Sequence, residues 1–262
     1  MDGGELYMNI RVLGCHGSQL PNHNTTSFLL EKNILIDAGA VTQVLTMEEQ
    51  RRIDFILITH AHLDHVRDVM FLADNLYYAN RGKPLIVCSS KGILENIHRH
   101  LFNGVIWPDF SRIPSAKAPM IKFEVLTPGR KKMLGDFQVK AIGVHHTIET
   151  LGFVMESKGK AVLFMGDTGP TEDVWEAARK TKHLKAIFVE TSLPGDMQSI
   201  ADKTGHLTTR TLAAELKKLQ GAKPDIYLYH MKPQYAESIC REVMALQDQK
   251  IHITEDGQVI RI

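Results

Sequence analysis

Cysteine is scarce in this chain: Cys15, Cys88 and Cys240 are the three in 262 residues, an odd number at wide spacing. No two sit close enough for a zinc ribbon or a redox dithiol, which excludes a disulfide-stapled fold and leaves reduced, mostly structural thiols. Net charge is as sparse. Lys and Arg number 31 against 30 Asp and Glu, a formal +1. That balance gives no long-range field towards nucleic acid or an anionic membrane, so nucleic acid is disfavoured and a small substrate favoured. Long apolar runs are missing too, which excludes a membrane-spanning helix. The N-terminal Met1–Glu5 is acidic, without the basic flank and apolar stretch of a signal peptide, so the expected location is the cytoplasm. Neither a solenoid-length repeat nor a low-complexity linker is present.

What the chain does have is apolar residues, 44% of the total, enough to bury a substantial core in a single domain over residues 1–262. Short β-rich runs recur at 10–13, 27–30, 34–36, 54–58 and 85–87, then at 122–126, 137–144, 151–155, 161–164, 186–189 and 225–229. Most are bounded by Gly, Pro, Asn or Asp, as strands are. Helical spacing appears at Thr208–Leu219, where Leu212, Leu216 and Leu219 recur before Gly221 as a stop, and at Glu172–Lys180 and Pro233–Leu246. Early strands follow one another directly, whereas later ones alternate with helices. The order predicts an α/β chain of the α+β type, a four-layer αβ/βα sandwich of two mixed β-sheets. Trp107–Pro119, with three prolines, reads as a surface connection, and Arg130-Lys131-Lys132 as a solvated turn.

Chemistry concentrates where strands end. Phe55–Thr59 runs straight into His60-Ala61-His62-Leu63-Asp64-His65. Imidazole and carboxylate are the usual ligands of zinc and similar ions, and a rigid strand end fixes their direction. His60 and His62 can point at one ion, with Asp64 and His65 displaced around the turn towards a second. Further ligands stand at other strand ends: Val139–Val144 leads to His145-His146, Val162–Met165 to Gly166-Asp167, and Ile226–Tyr229 to His230. Asp167 is the natural bridge, since one carboxylate can offer an oxygen to each ion.

The order His-x-His-x-Asp-His, His, Gly-Asp, His resembles the metallo-β-lactamase superfamily across nearly the whole chain. The resemblance implies that His60, His62 and His146 bind one metal, that Asp64, His65 and His230 bind the other, and that Asp167 bridges them. His145 is the alternative to His146, which is preferred because Gly152-Phe153 follows it at the superfamily's distance. Asp37, closing Ile34–Ile36, matches the strand-end aspartate that supports the ligand loop. The implied cofactors are two divalent metal ions, zinc by ligand type, with manganese or iron able to use the same set.

The fold does not choose the reaction. Gly205-His206-Leu207-Thr208, His230-Met231-Lys232-Pro233, Leu63 and Glu190-Thr191-Ser192 are similar to segments of the class II cyclic-nucleotide phosphodiesterases. That family's residues after the metal motif are usually small, whereas Asp68 and Ala73-Asp74 stand here. The similarity implies hydrolysis of 3′,5′-cyclic nucleotides, cAMP or cGMP, to 5′-nucleotides by a hydroxide held between the metals. His206 is then the general acid, Asp64 an acceptor for the water's proton and Lys232 a phosphate contact. The expected partner is the small cyclic nucleotide, and a second copy of the chain, as a homodimer, is carried beside it. The rival readings are a ribonuclease Z-like phosphodiesterase, which would bring an RNA-gripping arm and a basic surface, a lactonase or thioesterase, and a metal-bound scaffold without catalysis.

Overall fold

The computed structural model describes residues 7–221 and 223–262; the acidic Met1–Glu5 segment lies outside them. The first half of the chain forms β1 (Asn9–Gly14), β2 (Ser27–Leu30), β3 (Ile34–Ile36), α1 (Met47–Arg52), β4 (Phe55–Leu57), α2 (Leu63–Tyr78), β5 (Leu85–Ser89), α3 (Lys91–His100), the short hairpin β6 (Pro114–Ser115) and β7 (Ala118–Pro119), and β8 (Ile121–Val125). The second half forms β9 (Lys131–Leu134), β10 (Phe137–Val144), β11 (Thr150–Ser157), β12 (Lys160–Phe164), α4 (Asp173–Lys180), β13 (Leu184–Glu190), α5 (Gln198–Thr204), α6 (Thr209–Leu216), β14 (Asp225–Tyr229), α7 (Ala236–Met244), β15 (Ile251–Ile253) and β16 (Val259–Arg261).

Two mixed sheets result, ordered β16-β1-β2-β3-β4-β5-β8 and β15-β14-β13-β12-β11-β10-β9. In the first, strands from β16 to β3 pair antiparallel and those from β3 to β8 pair parallel. The second has the same division, parallel from β15 to β12 and antiparallel from β12 to β9. The sheets face each other across an aromatic layer. The Phe28 ring of β2 lies 5.3 Å from Phe164, 5.2 Å from Phe188 and 5.3 Å from Tyr229 on the opposite sheet. Val66, Leu72, Ile93 and Ile97 of α2 and α3 extend this core, while Trp175, Leu212 and Ile239 of α4, α6 and α7 pack in a second cluster with Leu163, Ile187 and Leu228. This is the expected αβ/βα sandwich.

Several expectations need correcting. Lys131 and Lys132 open β9, an edge strand bonded to β10, and do not form a turn. Trp107–Pro119 contains the β6–β7 hairpin. The helix after Thr208 tightens into a 3-10 turn at Lys217–Leu219 and stops at Gln220, which takes the left-handed conformation (φ 50°) one residue before the expected Gly221. Pro233 starts a 3-10 turn, and α7 proper follows it. Among the described residues, no helix is long and apolar enough to cross a membrane.

Candidate metal centre

Parallel strands present their C-terminal ends at one edge. β10 pairs antiparallel with β11 and β11 with β12, so β10 runs parallel to β12, β13 and β14. The residues just past β3, β4, β10, β12 and β14, together with the last residue of β13, therefore gather at one edge of the sandwich: Asp37, His60, His146, Asp167, His230 and Glu190. His62 is the residue preceding α2. Its imidazole caps no helical N–H and turns to His60 and His146 instead, and the first turn of α2 supplies Asp64 and His65.

The donor atoms fall into two groups. His60 Nε2 lies 3.0 Å from His62 Nδ1, which lies 3.3 Å from His146 Nε2. In the second group His65 Nε2 is 3.2 Å from His230 Nε2, and Asp64 Oδ2 is 3.3 Å from His230 Nε2 and 3.8 Å from His65 Nε2. Asp167 touches both: its Oδ2 is 3.2 Å from His230, 3.4 Å from His65 and 3.8 Å from His60. Its Oδ1 is buried without a hydrogen-bond partner. Ligands around a tetrahedral ion at about 2.0–2.1 Å sit about 3.3 Å apart, so these spacings suit a cation in each group. An unpartnered buried carboxylate oxygen among facing imidazole nitrogens is costly unless a cation satisfies it.

Tautomers follow from the partners on the far side of each ring. His60 Nδ1 donates to Thr59 Oγ1 (3.0 Å), whose own hydroxyl donates to Asp37 (2.8 Å). His65 Nδ1 donates to Asp37 Oδ2 (2.8 Å), His146 Nδ1 to the Gly205 carbonyl (2.8 Å) and His230 Nδ1 to Ser192 Oγ (2.9 Å). In its neutral form each leaves Nε2 facing inward with a lone pair; burial opposes charge on His65, but Asp167 and Asp37 beside it outweigh that and raise its pKa. Burial holds the pKa of His60, His62 and His146 low, in the neutral form that binds metal. Burial opposes charge on Asp167 as well, but His230, His65 and His60 around it outweigh that and keep it a carboxylate.

His206 stands beside the cluster. Its ring is stacked on His230 at 5.3 Å and lies 5.0 Å from His146. Nδ1 donates to Glu190 Oε1 at 2.8 Å. Burial lowers the pKa of this imidazole, yet the Glu190 carboxylate more than compensates and the net shift is upwards. Lys232 is close by, with its ammonium on the Gly17 carbonyl. The structure brings His146 to the cluster, whereas His145 is exposed and only its backbone carbonyl is engaged, by Gly169 N–H at 2.7 Å and the Thr168 hydroxyl. Asp37 lies behind the cluster, where it accepts from His65 Nδ1 and the Thr59 hydroxyl.

Glu190 is the residue that sequence reasoning left without a role. Fully buried, it accepts from His206, from the backbone of Thr168, Leu207 and Ser192, and from the Ser192 hydroxyl. The signal was present: a carboxylate closing the apolar run at 186–189 must have strong partners at that edge.

Residues 32–231 match the family model described as a beta-lactamase superfamily domain. A 3′,5′-cyclic-nucleotide phosphodiesterase of Aliivibrio fischeri is 25% identical over 257 residues, covering 80% of this chain and 74% of its own length. The 3′,5′-cyclic-nucleotide phosphodiesterase 1 of Saccharomyces cerevisiae is 27% identical over 206 residues, 69% of this chain and 54% of that protein. A ribonuclease Z of Clostridioides difficile is 28% identical over 153 residues, 56% of this chain and 48% of its own. The chain thus spans about half the length of the latter two. Among solved structures, unliganded yeast PDE1 superposes with a TM-score of 0.85 at 18% identity, over 98% of this chain and 100% of that one. The metallo-beta-lactamase fold protein YhfI from Bacillus subtilis gives 0.78 at 15% identity, over 98% and 100%. At such identities these superpositions speak for the fold alone; divalent-metal binding is implied by the family match together with the His and Asp clusters at this edge.

Proposed function

The chain belongs to the metallo-β-lactamase superfamily, and from that premise we propose that it is a phosphodiesterase opening the 3′,5′-cyclic phosphate of cAMP or cGMP to give the 5′-nucleotide. His60, His62 and His146 would hold one divalent cation, Asp64, His65 and His230 a second, and Asp167 would share both. The imidazole-rich donor set suits zinc, with manganese or iron as alternatives. When bound, the cations supply Lewis acidity that makes water nucleophilic at neutral pH and offsets charge on the phosphoryl oxygens.

The observation that carries the reading is the Glu190–His206 pair beside the cluster. Cleavage of a cyclic phosphate expels an alkoxide, which needs a proton. With Nδ1–H given to Glu190, protonated His206 has its Nε2 proton to donate to the 3′-oxygen as the phosphorus–oxygen bond breaks. Asp64, at the open side of the cluster with its side chain 30% exposed, accepts the proton released by the attacking water. Lys232 would reach the phosphate by turning from the Gly17 carbonyl.

The ribonuclease Z relatives favour a second reading, cleavage of pre-tRNA. One screen separates them: cyclic AMP, cyclic GMP, cyclic dinucleotides and pre-tRNA, with metal content measured on the same sample. The expected result is 5′-AMP from cyclic AMP, abolished by chelation or Asp167→Ala. A 3′-nucleotide product would contradict the role of His206, and turnover of pre-tRNA alone would establish the second reading.

A further inference from the structure

We infer that residues 15–17 form a strap, clamped by Asp256, that positions His230, and that Gly17 is the positioning residue through which the strap tunes the second metal group alone. This rests on His230 acting as a ligand but not on the substrate assigned above.

His230 follows β14 with a φ of 65°, a left-handed conformation that disfavours a Cβ-bearing residue. Something must hold it there. Its N–H donates to the Cys15 carbonyl at 2.6 Å, and Gly17 N–H donates to the Met231 carbonyl at 3.1 Å. Lys232 closes the strap by donating to the Gly17 carbonyl. The fit against the ring is tight. A Cβ on Gly17 would stand 2.6 Å from the His230 carbonyl oxygen, 2.8 Å from Nδ1 and 2.9 Å from Cε1. All three atoms belong to the backbone or ring of one residue, so the strap constrains both its φ and the direction of Nε2. On the other side of the ring, Ser192 fixes Nδ1. His146 has its own glycine contact, and a looser one: a Cβ on Gly205, which is no part of the strap, would stand 3.0 Å from His146 Nδ1 and 3.1 Å from its Cα.

The strap is anchored far along the chain. Asp256, in the turn between β15 and β16, accepts from Cys15 N–H (3.1 Å) and Asn24 N–H (2.8 Å) and lies 3.3 Å from His16 Nδ1. Cys15, His16 and Asp256 together have the residue types of a cation site. Their bonding speaks for a clamp instead. Both Asp256 oxygens are taken by N–H donors, and the Cys15 thiol donates to the Thr254 carbonyl (3.3 Å). Burial, with Asp256 beside it, raises the pKa of that thiol and keeps it protonated.

The test is Gly17→Ala, read by equilibrium dialysis against chelator-buffered zinc and by cadmium NMR of the exchanged protein. The expected result is two ions in the wild type and, in the variant, one of them weakened about 10–100-fold with the other unchanged, as loss of a ligand's support does. One cadmium resonance should shift or vanish while the other stays. Asp256→Asn, which cannot accept from both backbone N–H groups, should weaken the same ion less. Two ions at wild-type affinity in folded Gly17→Ala, equal weakening of both, or a wild type holding a single ion overturns the inference. If Gly17→Ala does not fold, the same results in Asp256→Asn decide it. No turnover enters the measurement, so failure of the phosphodiesterase reading leaves it untouched.

Discussion

In the proposed reaction, a single proton on His206 separates a phosphodiesterase from a bare metal cluster. Replacing His206 with Ala should lower kcat by about 10²–10⁴-fold and leave the bound metal in place. Loss of an ion in that variant would make His206 a ligand, a role within reach since a ring nitrogen of His206, a ring nitrogen of His146 and a carboxylate oxygen of Asp167 lie within 4.8 Å of one another. Glu190 sets the pH range. Burial pushes His206 down and the Glu190 carboxylate pushes it up by more. If His206 is the general acid proposed, its protonated form is the working one, so activity should hold below the folded-state pKa and fall as pH rises through it. In Glu190→Gln the main opposition to burial is removed, with Asp167 alone left to raise the pKa, and the basic limb of kcat/KM should move to lower pH. A limb that stays in place, with metal content intact, would remove His206 from the proton path.

The elements explain what could be read beforehand and what could not. β2, β3, β10 and β14 match their apolar runs to the residue, because strands buried between sheets or beneath helices leave a continuous or alternating apolar signature. The strand-end residues proposed as ligands stood out for the same reason, each being a polar residue closing such a run. β9 was not, since Lys131 and Lys132 sit on an edge strand whose charged side chains read as a turn. α2 was hidden by its own chemistry: its first turn carries Asp64 and His65, and its buried face includes Asp68. That aspartate, where the resembling family has small residues, is structural. Its Oδ2 accepts from Val41 N–H (2.6 Å), Thr42 N–H (2.7 Å) and the Thr42 hydroxyl (3.0 Å). Ala38 N–H also donates to the His65 carbonyl and Asp68 N–H to that of Ala38, so the start of α2 and the loop after Asp37 are fastened together. Asp68→Ala strands those donors and should cost about 2–3 kcal/mol in urea unfolding. An unchanged midpoint would show that water replaces the carboxylate.

For the molecule as a whole, the two sheets and the metal edge contribute to stability in different ways. The aromatic layer of Phe28, Phe164, Phe188 and Tyr229 holds the sheets together without reference to the ligands. At the edge, Asp37, Asp64 and Asp167 crowd a cluster of imidazoles, and the buried Asp167 Oδ1 lacks a donor. An ion that binds the folded chain and not the unfolded one stabilises it by about 2.7 kcal/mol when present at a hundredfold its Kd. At roughly 2–4 °C of Tm per kcal/mol for a chain approaching this size, stripping one such ion should lower the midpoint by about 5–10 °C. The secondary structure measured by circular dichroism below the transition should stay the same, because the sheets and their core do not depend on the cluster. Restoring zinc should return the midpoint in proportion to occupancy, and binding should release protons from the cluster, so the gain should shrink as pH falls and the histidines compete for them. A melting temperature indifferent to chelation, in a sample shown to have lost its metal, would mean that the donors are held in place by protons and protein contacts alone, and the cluster could not then be the cation site proposed.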